Sequence, residues 1–181
     1  GSDPVGSALD EVASLESNAS VTADTFPATY TTMLIFNQAY APFADVHVRR
    51  AEPAGAALAA QLGVAAGSEV FHTLIVHFED DRALQCEDRY VNPACAPHYL
   101  DADFARITPT HYLFDHTVLW RAQYSIEAAR PTADEARLLG IAADEPCLVI
   151  VRRTFTRDAA ITIARLVHPG GRYLLEGQFV P

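Results

Sequence analysis

The 181-residue sequence has no lysine; its 13 basic residues are all arginine, against 23 Asp and Glu, for a formal net charge of −10. No arginine cluster exceeds the pairs Arg49-Arg50 and Arg152-Arg153. The chain as it stands therefore lacks the basic face that phosphate neutralisation requires, and it reads as a poor nucleic-acid binder on its own. Its acidity reads first as solubility. Cysteine is scarce: Cys86, Cys95 and Cys147 are odd in number and show no Cys-x-x-Cys spacing. That argues against a disulfide frame or a thiolate zinc site and for small buried thiols in a reducing, cytoplasmic compartment. No apolar run approaches the ~20 residues of a membrane span, and nothing at the start resembles a signal peptide. There is no Gly-x-Gly-x-x-Gly, Walker or His-Glu-x-x-His pattern, so neither a nucleotide cofactor nor a metal is expected.

Half of the residues are hydrophobic, enough for one globular domain with a real core. Within it the chain says nearly the same thing twice. Glu52-Pro-Ala-Gly-Ala-Ala-Leu-Ala-Ala-Gln-Leu62-Gly63-Val64 precedes Gly67-Ser-Glu-Val70 and an apolar run; Ala129-Arg-Pro-Thr-Ala-Asp-Glu-Ala-Arg-Leu-Leu139-Gly140-Ile141 precedes Asp144-Glu-Pro-Cys147 and another. Leu62 and Leu139 set the offset at 77 residues. Each copy predicts a short helix stopped by glycine, a tight turn and a strand, and two copies suggest pseudo-symmetry with a small-ligand pocket between related halves.

Residues 1–29 read as a leader or linker, with Gly1-Ser2 as an expression scar and one helix-compatible stretch, Ala8–Leu15; 30–181 form the domain. Strands are expected over Thr31–Phe36 and Ala44–Ala51, then a helix from near Pro53 to Gly63. Val70–Phe78 and Ala83–Val91 form a hairpin about the polar turn Glu79–Arg82, its first strand apolar on both faces. Pro93, Pro97 and Pro109 keep 93–117 to short helical or irregular pieces, including Asp103–Arg106 and His111–Phe114. A strand over Leu119–Ala129 leads to a helix from Thr132 to Leu139, with Thr132 and Glu135 as a capping box. Cys147–Phe155 and Ala160–Val167 make the second hairpin; His168-Pro-Gly-Gly171 bends the chain, and Tyr173–Glu176 can add a last strand. The fold class is α+β, with a mostly antiparallel sheet, flanking helices and two pseudo-repeated helix-hairpin units.

On the second strand of the first hairpin, Gln85, Glu87 and Arg89 share one face; the 77-residue offset places Thr162, Ala164 and Leu166 at the same positions of the second, with His168 next on that parity. Facing hairpins would leave a cleft in which Arg89 can grip a ligand carboxylate and Glu87 accept from a ligand N–H; the alternative is a solvated strand face with an ion pair of little weight. His77 is either a core histidine with one satisfied hydrogen bond or a neutral partner in the cleft. Cys95 with His98, and Ser125 with Glu127, lack a third orienting group, so no catalytic residue is assigned.

Leu62-Gly63-Val64-x-x-Gly67, Leu84-Gln-Cys-Glu87-Asp88-Arg89-Tyr90-Val91-Asn92-Pro93, Leu138-Leu-Gly140-Ile141-x-x-x-Glu145-Pro146-Cys147, Arg152-Arg153-Thr154 and Ala164-Arg165-Leu-Val-His-Pro169-Gly170-Gly-Arg172-Tyr173 together resemble the UTRA effector-binding domain of GntR-type transcription regulators, most of all its histidine-utilisation branch. The likeness spans about 45–181. It implies a chorismate-lyase-like fold, a homodimer, no enzymatic activity, and a small-molecule effector in a cleft of the sheet. It further implies that DNA is bound only through a winged helix-turn-helix that this chain does not carry. For that branch the implied inducer is urocanate. The implied ligand-binding residues are His77, Glu87, Arg89, Tyr112, Thr162 and His168. Ile75 and His77 stand where related sugar-phosphate sensors place an arginine pair, which disfavours a phosphosugar and suits a planar monocarboxylate. The rivals are a chorismate-lyase-like enzyme and a dimerisation module with a vestigial pocket.

Overall fold

Strand and helix alternate here because apolar residues recur at every second position in some stretches and at three-to-four spacing in others. The structure, a computed structural model, describes residues 43–175. The expected leader, the Thr31–Phe36 strand and Glu176 lie outside them. Residues 43–174 belong to one compact unit. Its elements are β1 (Phe43–Pro53), α1 (Ala56–Leu62), β2 (Glu69–Glu79), β3 (Arg82–Val91), a 3₁₀ turn (Tyr99–Asp101), α2 (Pro109–His116), β4 (Arg121–Ala129), α3 (Ala133–Leu139), β5 (Cys147–Phe155), β6 (Ala160–Pro169) and a second 3₁₀ turn (Gly170–Arg172).

The six strands form one sheet in the order β1-β2-β3-β6-β5-β4, and every neighbouring pair is antiparallel. The repeat is thus strand, helix, hairpin, used twice, with the two hairpins meeting at β3 and β6. Asp88 pairs with Arg165, its own counterpart at the 77-residue offset, so the pseudo-two-fold axis passes through that pair.

Both repeat helices stop as their glycines dictate: Gly63 (φ 68°) and Gly140 (φ 61°) adopt the left-handed conformation and return N–H groups to the last turn. One face of the sheet is covered by the helices. Leu62 and Ala59 of α1 pack with Val70 and Ala160, and Leu139 of α3 with Val76, Cys86, Val149 and Val167. The other face is covered by 92–117, whose Tyr99, Phe104, Tyr112 and Leu113 pack with Ile75 and Val91.

Three expectations shift. Pro53 closes β1 and does not open the helix, because Ala54 N–H donates to the Ser68 carbonyl oxygen at 2.8 Å and α1 begins only after Gly55. β6 runs through His168 to Pro169 before the chain bends. Among the described residues, Tyr173–Leu175 pair with no strand.

Candidate functional site

Alternation puts Gln85, Glu87 and Arg89 on the face of β3 away from the repeat helices. That face is not solvated: Gln85, Glu87 and Arg89 are 5%, 3% and 0% exposed. Register places Thr73, Ile75 and His77 of β2 opposite Arg89, Glu87 and Gln85. On the other side of β3, Ala164 pairs with Arg89 and Leu166 with Glu87, and Arg152 of β5 pairs with Ala164. A buried row therefore crosses the sheet as Thr73, Arg89, Ala164, Arg152.

Glu87 is the hub. Its Oε1 accepts from Arg89 Nε at 2.6 Å; its Oε2 accepts from His77 Nε2 at 3.2 Å and Gln85 Nε2 at 3.4 Å. Burial alone raises a carboxyl pKa, but the charge of Arg89 and the hydrogen bonds from His77 and Arg89 outweigh it and hold Glu87 well below the usual range. Arg89 also donates from Nη1 to Thr162 Oγ1 at 3.0 Å and from Nη2 to Thr110 Oγ1 at 3.5 Å; Thr162 in turn shares a hydrogen bond with Thr154 at 3.0 Å. His168 donates from Nδ1 to the Leu148 carbonyl oxygen at 3.2 Å and packs against the Tyr173 ring, tilted by 30° with ring centres 4.1 Å apart.

Five of the six expected site residues, His77, Glu87, Arg89, Thr162 and His168, thus lie on one buried sheet face, four of them in a single hydrogen-bonded cluster. Tyr112 stands apart: it is stacked on His116 and packed edge-on to Tyr99, in the apolar layer over the cluster. From the same covering segment, Thr110 bonds the two arginines and the Tyr99 hydroxyl shares a hydrogen bond with Thr73 at 2.8 Å.

Residue reasoning missed Arg152. It is 8% exposed and donates from Nη2 to Thr110 Oγ1 at 2.7 Å, while its Nε is buried with no acceptor. Burial, reinforced by the neighbouring charge of Arg89, brings its pKa down to about 10. A signal for it existed: the 77-residue offset, applied to the first strand of the hairpin as well as the second, carries Ile75 to Arg152 and His77 to Thr154. Thr110 carried none, because nothing in 93–117 reveals which residue lies over the sheet.

The family model for the UTRA domain matches residues 37–173. The histidine utilization repressor of Pseudomonas aeruginosa is 49% identical over 128 residues, 71% of this chain and 51% of that protein. That of Klebsiella aerogenes is 43% identical over 121 residues, 67% of this chain and 50% of that protein. The chain spans about half the length of these curated relatives. Among solved structures, the C-terminal domain of the histidine utilization repressor from Pseudomonas syringae pv. tomato superposes with a TM-score of 0.75 at 46% identity, covering 77% of this chain and 99% of that one. The effector domain of PhnF from Mycobacterium smegmatis, at 22% identity and a TM-score of 0.70 over 76% of this chain and 86% of that one, shares the fold. On the family model's match to most of the chain, and on this near-complete coverage of a solved relative, the chain belongs to the UTRA domain family.

Proposed function

We propose that this chain is the effector-binding and dimerising part of a transcriptional repressor of histidine utilisation, with residues 30–181 as the domain and 1–29 as a leader. The observation that carries the reading is the 46% identity to the C-terminal domain of a histidine utilization repressor, matched over 99% of its length. The buried cluster on β2, β3, β5 and β6 supports it. A sheet face that gathers two arginines, a carboxylate, two histidines and three threonines under an aromatic layer is costly for packing alone and suits a small polar ligand. The inducer is urocanate, whose planar imidazole and single carboxylate match aromatic, hydroxyl and guanidinium neighbours. DNA is contacted through a winged helix-turn-helix beyond the described residues, in the cytoplasm, and no catalytic step is involved.

The homodimer forms along β4. This edge strand is exposed from Arg121 to Ala128, pairs with β5 without a bulge, and carries no proline, so its outer backbone groups are open to another strand. The opposite edge, β1, has a register break between Val46 and Val48 and ends in Pro53. Effector binding then shifts the balance between dimer arrangements of different DNA affinity, by as much as its affinities for them differ.

Calorimetric titration with urocanate tests the proposal. Saturable one-site binding, with histidine itself weak or silent, is the expected result; silence towards urocanate and the later acids of histidine breakdown would remove the reading.

A further inference from the structure

The polar cluster holds two guanidiniums and one carboxylate. Glu87 is engaged by Arg89, and all three nitrogens of that guanidinium already donate to protein oxygens. Arg152 has no carboxylate within 4.0 Å among the described residues; its one acceptor is the Thr110 hydroxyl, which Arg89 also uses. Its Nε–H is buried and unpaired. A buried arginine kept for structure is paired, because leaving one unpaired is costly.

Packing does not call for a charge at this position. The pseudo-symmetric counterpart of Arg152 is Ile75, fully buried in an apolar cluster. The same place in the fold is thus filled by a hydrocarbon in one half and by a cation without an ion-pair partner of its own in the other. We infer that Arg152 is the anion receptor of the effector site, taking a singly charged carboxylate of a small organic ligand, while Arg89 positions Glu87. The inference rests on reading this cluster as the effector site. One spare positive charge sets the preference: a carboxylate balances it, whereas a phosphate monoester brings a second negative charge beside Glu87.

The test compares the whole chain with its Arg152→Met variant. Urocanate and its methyl ester are titrated calorimetrically, and the Nε–H resonance of Arg152 is followed by nitrogen-15 NMR in the unsubstituted chain. The unsubstituted chain should bind the acid at least about tenfold more tightly than the ester, with the Arg152 resonance moving on saturation by the acid only. Arg152→Met should lose that tenfold and treat both alike, while its ligand-free thermal midpoint stays equal or rises, since an unpaired buried cation has gone. Arg89→Met, which strands Glu87, should lower the midpoint.

Unchanged acid affinity in Arg152→Met, or a resonance that ignores bound carboxylate, overturns the inference with the effector assignment intact. Silence towards urocanate, with a resonance that still responds to cinnamate or imidazole acetate, rejects the inducer and keeps the anion receptor. A resonance that moves with none of these acids removes the receptor, and the NMR arm needs no variant to fold.

Discussion

His168 is 1% exposed, and burial, with a further push from neighbouring His77, brings its pKa down from 6.5 to about 4 despite the hydrogen bond to Leu148. The unfolded chain protonates this ring near 6.5 and the folded chain only near 4, so between those values unfolding takes up a proton. Stability contributed by the neutral ring is whole above pH 6.5 and drains as pH falls towards 4, at up to about 1.4 kcal/mol per pH unit. Glu87, with its pKa depressed, acts in the same sense at lower pH: its contribution is present above its ordinary value of 4.5 and is lost as its carboxylate is titrated. Replacing His168 by Gln should flatten the slope of unfolding free energy between pH 6.5 and 4.5, measured by urea denaturation at several pH values. An unaltered slope would mean that other groups carry the acid sensitivity.

Among the elements, α3 has the fuller start. Thr132 Oγ1 accepts from Glu135 N–H at 3.2 Å and Glu135 Oε2 accepts from Thr132 N–H at 2.8 Å, the capping box that Thr-x-x-Glu predicts. Glu135 is also held at 2.8 Å by Arg165, the residue on the pseudo-two-fold axis, so the cap ties α3 to the middle of the sheet. α1 has Gly55 as its N-cap and so no side-chain cap. Thr132→Ala should therefore cost about 1 kcal/mol, read as a lower urea midpoint at constant slope. The hairpins and both glycine stops were legible because they depend on neighbours in sequence. The role of Pro53 was not: it is decided by whether the next N–H is free or paired, and Ser68 pairs it.

At the scale of the whole sheet, the two halves meet at β3 and β6 and, among the described residues, β4 is left as an unpaired edge. A two-fold axis near Ser125 would pair two copies of β4 antiparallel. Tyr124 and Ile126, 43% and 37% exposed, would then lie opposite each other across the seam, Tyr124 of one copy against Ile126 of the second. On the proposed β4 pairing, Ile126→Lys should run as a monomer in light scattering without lowering the thermal midpoint of the subunit; a dimer in that variant would overturn the pairing. Local order made the sequence a sufficient guide to the repeat, its helix stops, its hairpins and the shared face of Gln85, Glu87 and Arg89, since periods of two and of three to four are properties of adjacent residues. Which side of β3 carries the buried polar cluster, that Thr110 bridges two arginines, and that Arg152 reaches the same cluster as Arg89 from 63 residues away were settled only by the tertiary structure. Strand order and the covering of a sheet face are set by contacts distant in sequence, and the charge balance of a buried cluster exists only once those contacts have formed.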